Sequence, residues 1–157
     1  VRAPQTSVGN TSYHLDAGYE PLFAFGHGLS YATFEYSNLQ LDRPALRIGE
    51  ALTASVDLTN TGRVAADEVA QLYVRDLVGN VTRPVRELKD FQRVRVAPGQ
   101  TVTVTFRLHS DDLAFFGRDN TEIVEPGEFH LWVGGSSKAE LRAAFSLVAA
   151  GAAGTSP

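Results

Sequence analysis

Thr101-Val102-Thr103-Val104-Thr105-Phe106-Arg107-Leu108 decides the fold class. Apolar side chains fall at every second position, which puts them on one face of an extended strand and the polar ones on the other. The same alternation sets Leu52, Ala54, Val56 and Leu58 against Thr53, Ser55, Asp57 and Thr59. Threonine and valine dominate these stretches, and β-branched side chains fit a pleated surface better than a helix.

Working outward from these two strands, the chain alternates between apolar runs and turn residues. Asn60-Thr61-Gly62 and Ala97-Pro98-Gly99-Gln100 read as turns. Between them, Val69 to Val74 is nearly continuous apolar apart from Gln71, as expected of a central strand covered on both sides. Leu88 to Val96 gives a further strand, and Phe34, Tyr36, Leu39 and Leu41 give a first strand with an irregularity. Glu125-Pro126-Gly127-Glu128 turns into Phe129, Leu131 and Val133, and Gly134-Gly135-Ser136-Ser137 closes a hairpin to a last strand through Leu141, Phe145 and Leu147. Ser110-Asp111-Asp112-Leu113 reads as a serine N-cap with an acidic first turn, so a short helical turn is expected. About seven short strands at this spacing predict an all-β, immunoglobulin-like antiparallel sandwich of two sheets.

A chain of 157 residues with no cysteine holds about one domain and needs no disulfide to bury its core. The net charge of −4 without a basic patch argues against nucleic acid as partner. No apolar run approaches a membrane span, and no signal peptide is visible. The absence of methionine and the start at Val1 suggest a fragment of a longer protein. Residues 1–20 lack periodicity and read as linker, with Tyr13, Leu15 and Tyr19 able to dock on a neighbour. The Ala/Gly-rich residues 149–157 read as a disordered tail.

One stretch before the first strand is unlike the rest: Pro21-Leu22-Phe23-Ala24-Phe25-Gly26-His27-Gly28-Leu29-Ser30-Tyr31. Gly26 and Gly28 suggest positive φ or close approach to a neighbour, with Phe23, Phe25 and Tyr31 as anchors of an irregular loop. This phrase resembles the opening of the C-terminal fibronectin-III-like domain of glycoside hydrolase family 3 enzymes, chiefly β-glucosidases of the periplasmic bacterial type. The resemblance continues in the same order through Val56 to Gly62, Glu68 to Asp76, Arg83 to Phe91, Pro98 to Thr101 and Glu125 to Phe129, and covers roughly residues 21–148. His27 departs from the commoner tyrosine.

The resemblance implies a fibronectin-III-like sandwich that follows a barrel domain and an α/β sandwich domain. Residues 1–20 would then be the tail of that second domain. It also implies that the whole assembly hydrolyses terminal β-D-glucosyl residues with retention, without a cofactor. The nucleophile and the acid/base are expected in the preceding domains, so this segment carries no catalytic residue. Its partners would be those domains and, through the assembly, a β-glucoside. Phe23, Phe25, Gly26, His27, Gly28 and Tyr31 are expected at the domain junction, and Tyr13 and His14 near substrate. Relatives suggest a periplasmic or secreted location.

The residues themselves offer few competing sites. Asp111, Asp112, Asp119, Glu122, Glu125 and Glu128 cluster in sequence, but retaining hydrolysis needs two carboxyl groups held about 5 Å apart, and adjacent loop acids usually point apart into water. His14, His27, His109 and His130 lack metal-ligand spacing, and no Asp-x-Asp-x-Asp-Gly order marks a calcium loop, so no metal is expected. Gly26 to Tyr31 begins like Gly-x-Gly-x-x-Gly but fails at its last position. Arg83-Pro84-Val85-Arg86-Glu87-Leu88-Lys89 reads either as a docking stretch or as a solvated edge guarded by Pro84. An independent carbohydrate-binding or adhesion module is the alternative function. It would need Phe115, Phe116 or Trp132 as a stacking platform, although Phe115-Phe116 reads more readily as core cover and Trp132 as partly buried. Asn10-Thr11-Ser12 and Asn80-Val81-Thr82 fit the N-glycosylation pattern, which matters only in a secreted eukaryotic protein.

Overall fold

A computed structural model describes residues 21–79, 81 and 83–150. It contains ten strands: β1 (Phe34–Leu41), β2 (Ala45–Arg47), β3 (Ala51–Asn60), β4 (Ala66–Asp76), β5 (Glu87–Val96), β6 (Thr101–His109), β7 (Phe115–Phe116), β8 (Glu122–Ile123), β9 (Gly127–Gly134) and β10 (Arg142–Val148). The seven long strands are those expected from sequence; β2, β7 and β8 are short additions of two or three residues. One sheet has the order β1-β3-β6 and the other β2-β10-β9-β4-β5, with β7 and β8 forming a separate ribbon. Pairing is antiparallel except between β2 and β10. The fold is the fibronectin-III-like sandwich that the resemblance implied.

The core lies between the two sheets. Leu52, Ala54, Val56 and Leu58 on β3 and Val104, Phe106 and Leu108 on β6 meet Leu72 and Val74 on β4 and Leu131 on β9. Phe129 and Phe145, cross-strand partners on β9 and β10, stack with centroids 5.3 Å apart. At about 1.5–3 kcal/mol for each large apolar side chain buried, this layer supplies the main driving force. The outer face of β3 and β6 is polar apart from Ala51: Thr59 pairs with Thr101 through their hydroxyls at 2.8 Å, and Thr103 donates to Asp57 at 2.8 Å.

The irregularity of β1 is a register shift between Ser37 and Gln40, where Asn38 adopts φ 58° and donates to Asp57 at 3.1 Å. Asparagine tolerates this left-handed conformation better than most residues. The turn after β3 closes around the buried Asn60 side chain. Its amide donates to the carbonyls of Val64 and Val96, each at 2.9 Å, and its oxygen accepts from the Gly62 N–H at 2.9 Å.

The cap of the 3-10 turn Ser110–Leu113 differs from expectation. His109, not Ser110, is the N-cap: its Nδ1 accepts from the Asp111 N–H at 3.2 Å, and Asp112 accepts from the His109 N–H at 2.7 Å. Ser110 is fully buried, and its hydroxyl oxygen accepts from the Gly49 N–H at 2.9 Å instead. The acids at the start of the cluster are thus engaged by the turn itself.

Candidate docking site

Residues 21–31 lie over the outer face of the five-stranded sheet, on the side away from the core. Strand β4 prepares this face. Ala70, Leu72 and Val74 point into the sandwich, while Gln71 and Tyr73 point outward and are nonetheless 5% and 1% exposed. This strand is covered on both sides from Ala70 to Val74, as the apolar run suggested, although Val69 at its edge is exposed.

The cover over Gln71 and Tyr73 is held by polar contacts. The Gln71 amide donates one hydrogen to the Gly26 carbonyl at 2.9 Å and one to the Gly135 carbonyl at 2.8 Å. Gln71 Oε1 accepts from the Tyr73 hydroxyl. The Ser137 N–H donates to the Phe25 carbonyl at 2.8 Å. Every hydrogen-bonding group of this buried amide that can donate is used, which fixes its orientation.

A turn brings these carbonyls into place. The His27 N–H donates to the Ala24 carbonyl at 3.0 Å, and Gly26 at the third position has φ +79°. This is the geometry of a type II turn, which favours glycine there. A Cβ at Gly26 would also overlap Gln71 Oε1 and the Tyr73 hydroxyl. Gly28 has neither feature: its φ is not positive, and a Cβ there would meet nothing within 4 Å. The expectation of a backbone requirement therefore holds for Gly26 and fails for Gly28.

The aromatic residues are not the loop's anchors either. Phe23 is 64% exposed, Phe25 68% and Tyr31 100%, with Leu22 and Leu29 also bare. Phe23 stacks on His27 with ring centroids 5.0 Å apart. The backbone does the anchoring, because the sheet below offers amides and hydroxyls in place of an apolar hollow. Leu88 and Phe91 on β5 extend the apolar surface beside the loop. Phe25, Val85, Arg86 and Ser137 line a cavity of about 300 Å³. Tyr13 and His14 lie outside the described residues.

The charged side chains of the Arg83–Lys89 stretch fold back onto their own chain. Arg83, with a side chain 9% exposed, pairs with Asp76 at 3.3 Å and Glu87 at 3.1 Å and lies 4.6 Å over the Phe115 ring. Burial pushes the Glu87 carboxyl up, but hydrogen bonds from Lys89 and Arg83 outweigh this and hold it below its ordinary range. Arg86 donates to the carbonyls of Ser137 and Ala139 at 2.6 and 2.7 Å, with its guanidinium 4.1 Å from the Trp132 ring centre. Burial, then the charge of Arg75, lowers the Arg86 pKa. Neither the docking reading nor the solvated-edge reading describes these two arginines: they bind their own chain. Phe115 is half-buried beneath Arg83, while Phe116 is exposed, so the pair is divided between the two readings.

A second hollow lies at the other side of the loop. Its lining includes His27, Tyr36, Glu68 and Lys138 around a volume of about 430 Å³. Tyr36 donates to Glu68 at 2.8 Å. Burial raises the pKa of both groups, and for Glu68 it outweighs the hydrogen bonds from Tyr36 and the Val69 N–H. Among the described residues, no group of three or more His, Cys, Asp or Glu side chains is arranged to hold a metal ion.

Gln71, Tyr73 and Ser137 were not singled out as site residues by sequence. The signal for Gln71 was present: one amide inside an apolar strand requires a partner on the covered side.

These features define a fibronectin-III-like sandwich whose two outer faces are unequal, one polar and one carrying a fastened apolar loop. The model of the fibronectin type III-like domain matches residues 68–137. The chain is 48% identical over 120 residues to a β-xylosidase of Formosa agariphila, covering 76% of this chain and 17% of that protein. It is 36% identical over 145 residues to the periplasmic β-glucosidase of Salmonella typhimurium, covering 92% of this chain and 19% of that protein. The solved β-glucosidase of Erythrobacter marinus superposes with a TM-score of 0.81 at 35% identity, covering 92% of this chain and 19% of that one. The chain belongs to the fibronectin type III-like domains of glycoside hydrolase family 3. It spans less than a fifth of the length of these relatives.

Proposed function

We propose that the chain is the C-terminal accessory domain of a family 3 glycoside hydrolase that removes terminal β-D-glucosyl residues, and that it buttresses the catalytic domains preceding it. The observation that carries this reading is the loop at residues 21–31. Its backbone is fastened to the sheet through Gln71 and Ser137, while Leu22, Phe23, Phe25, Leu29 and Tyr31 are left bare. Contiguous exposed apolar surface marks a contact with another body. The relatives carry more than four-fifths of their length outside the matched region, which supplies that body. Phe23, Phe25, Gly26, His27, Gly28 and Tyr31 form the junction on this reading. The chain contributes support rather than chemistry to the reaction.

The named relatives include both β-glucosidases and a β-xylosidase, so a pentose substrate is the neighbouring possibility within the same assignment. The binding-module alternative draws little support: Trp132 is 7% exposed beneath Arg86, and Phe115 lies beneath Arg83. The test is the parent enzyme, assayed with aryl β-glucoside and aryl β-xyloside, against a form ending before Val1 and a form carrying Phe25→Asp with Leu29→Asp. Both altered forms are expected to lose soluble activity. Full activity of the shortened enzyme would overturn the buttress role, and glycan binding by this chain would favour the alternative.

A further inference from the structure

The same sheet face carries a cationic cluster that the docking loop does not use. Arg75 on β4 stands opposite His130 on β9, and Arg142 on β10 stands opposite Trp132, two positions from His130. Alternation places all three on the outer face, where diagonal neighbours are about 7–8 Å apart and within reach of long side chains. Arg75 and Arg142 are exposed and His130 is half-buried.

The ion pairs among the described residues involve other side chains and leave Arg75, His130 and Arg142 out. Glu128 also lies on this face, two positions along β9 from His130, and forms none of these pairs. Arg86, at the border of the cluster, is engaged by carbonyl oxygens rather than a carboxylate. Burial, then the charges of Arg142 and Arg75, lowers the His130 pKa.

We propose that Arg75, His130 and Arg142 receive aspartate or glutamate side chains of the preceding catalytic domains, forming the charged end of the docking face. This rests on the accessory-domain reading above. The two arginines suit carboxylates through paired N–H donors. The cluster is continuous with the docking loop, since Arg86 borders it and also lines the cavity beside Phe25.

The test uses the parent enzyme carrying Arg75→Lys and Arg142→Lys, treated with a zero-length carbodiimide and mapped by peptide mass spectrometry. Crosslinks from the introduced amines to acidic residues upstream of Val1 are expected, and 1 M salt should weaken them by shortening the screening length to about 3 Å. In parallel, Arg75→Glu with Arg142→Glu should lower the melting temperature of the parent enzyme. Absence of such crosslinks, or crosslinks only between differently isotope-labelled copies, would overturn the proposal. If crosslinks are absent while Phe25→Asp with Leu29→Asp still abolishes activity, the docking reading stands and this assignment falls. If those substitutions are also silent, the docking reading falls with it.

Discussion

The side-chain amide of Gln71 donates to the carbonyl oxygen of Gly26 at 2.9 Å, joining a strand interior to a loop 45 residues away in sequence. A second hydrogen goes to Gly135, and the amide oxygen takes the Tyr73 hydroxyl. One buried side chain therefore fastens the docking loop and the β9–β10 hairpin to the same point. Gln71→Leu keeps most of the volume but leaves two carbonyls and a hydroxyl without their partner. The expected loss is about 1–3 kcal/mol, the usual cost of unsatisfied buried polar groups. A urea titration reads that loss. Amide exchange should also quicken at Ser137, whose N–H holds the Phe25 carbonyl. An unchanged midpoint with unchanged exchange would remove Gln71 from this role.

The two glycines of the loop separate a backbone requirement from a coincidence of sequence. Gly26→Ala forces a side chain into the left-handed region, at about 1–2 kcal/mol, and drives its Cβ into Gln71 and Tyr73. Gly28→Ala meets open space and should stay within about 0.5 kcal/mol of the parent. Thermal melts of the two variants side by side are the check. Equal destabilisation would contradict the turn geometry.

The sequence announced β3 and β6 because each alternates between a core face and an outer face, and β4 through its nearly continuous apolar run. Val102 to Leu108 and Leu52 to Leu58 reach the core as the alternation required. The short strands were not legible: β2, β7 and β8 are too brief to show a period. The loop was recognisable as a phrase, yet its mechanics were misread. Aromatic residues in a glycine-bearing loop suggest burial, but burial depends on what the surface beneath offers. Here that surface presents Gln71 and Tyr73, partners for carbonyls rather than rings. Arg83 and Arg86 were hidden for a related reason, since composition cannot tell a cation that pairs outward from one that folds back on its own chain.

Arg83 is the best place to test that inward pairing. Its guanidinium neutralises Asp76, whose side chain is 4% exposed, together with Glu87. Arg83→Met should cost about 3–5 kcal/mol at neutral pH, because it leaves a buried carboxylate unpaired. Glu87 has a depressed pKa in the fold, so its contribution is present above the unfolded value of about 4.3 and is lost as pH falls through the folded value. The gap between parent and variant should therefore narrow at pH 3 relative to pH 7. Urea midpoints at the two pH values measure it, and a gap that widens in acid would refute the assignment.

Glu68 should behave with the opposite sign. Burial raises its pKa against the lowering hydrogen bonds of Tyr36 and the Val69 N–H. A raised carboxyl pKa stabilises the fold fully below the unfolded value of about 4.3, and that contribution is lost as pH rises through the folded value. Glu68→Gln keeps an acceptor for the Tyr36 hydroxyl and cannot ionise. The parent should thus weaken relative to the variant as pH climbs from 4 toward 7, while the two converge in acid. Melting temperatures across that range give the comparison. A difference that does not change with pH would mean that the Glu68 carboxyl reaches solvent freely and that the hollow beside His27 places no constraint on its charge.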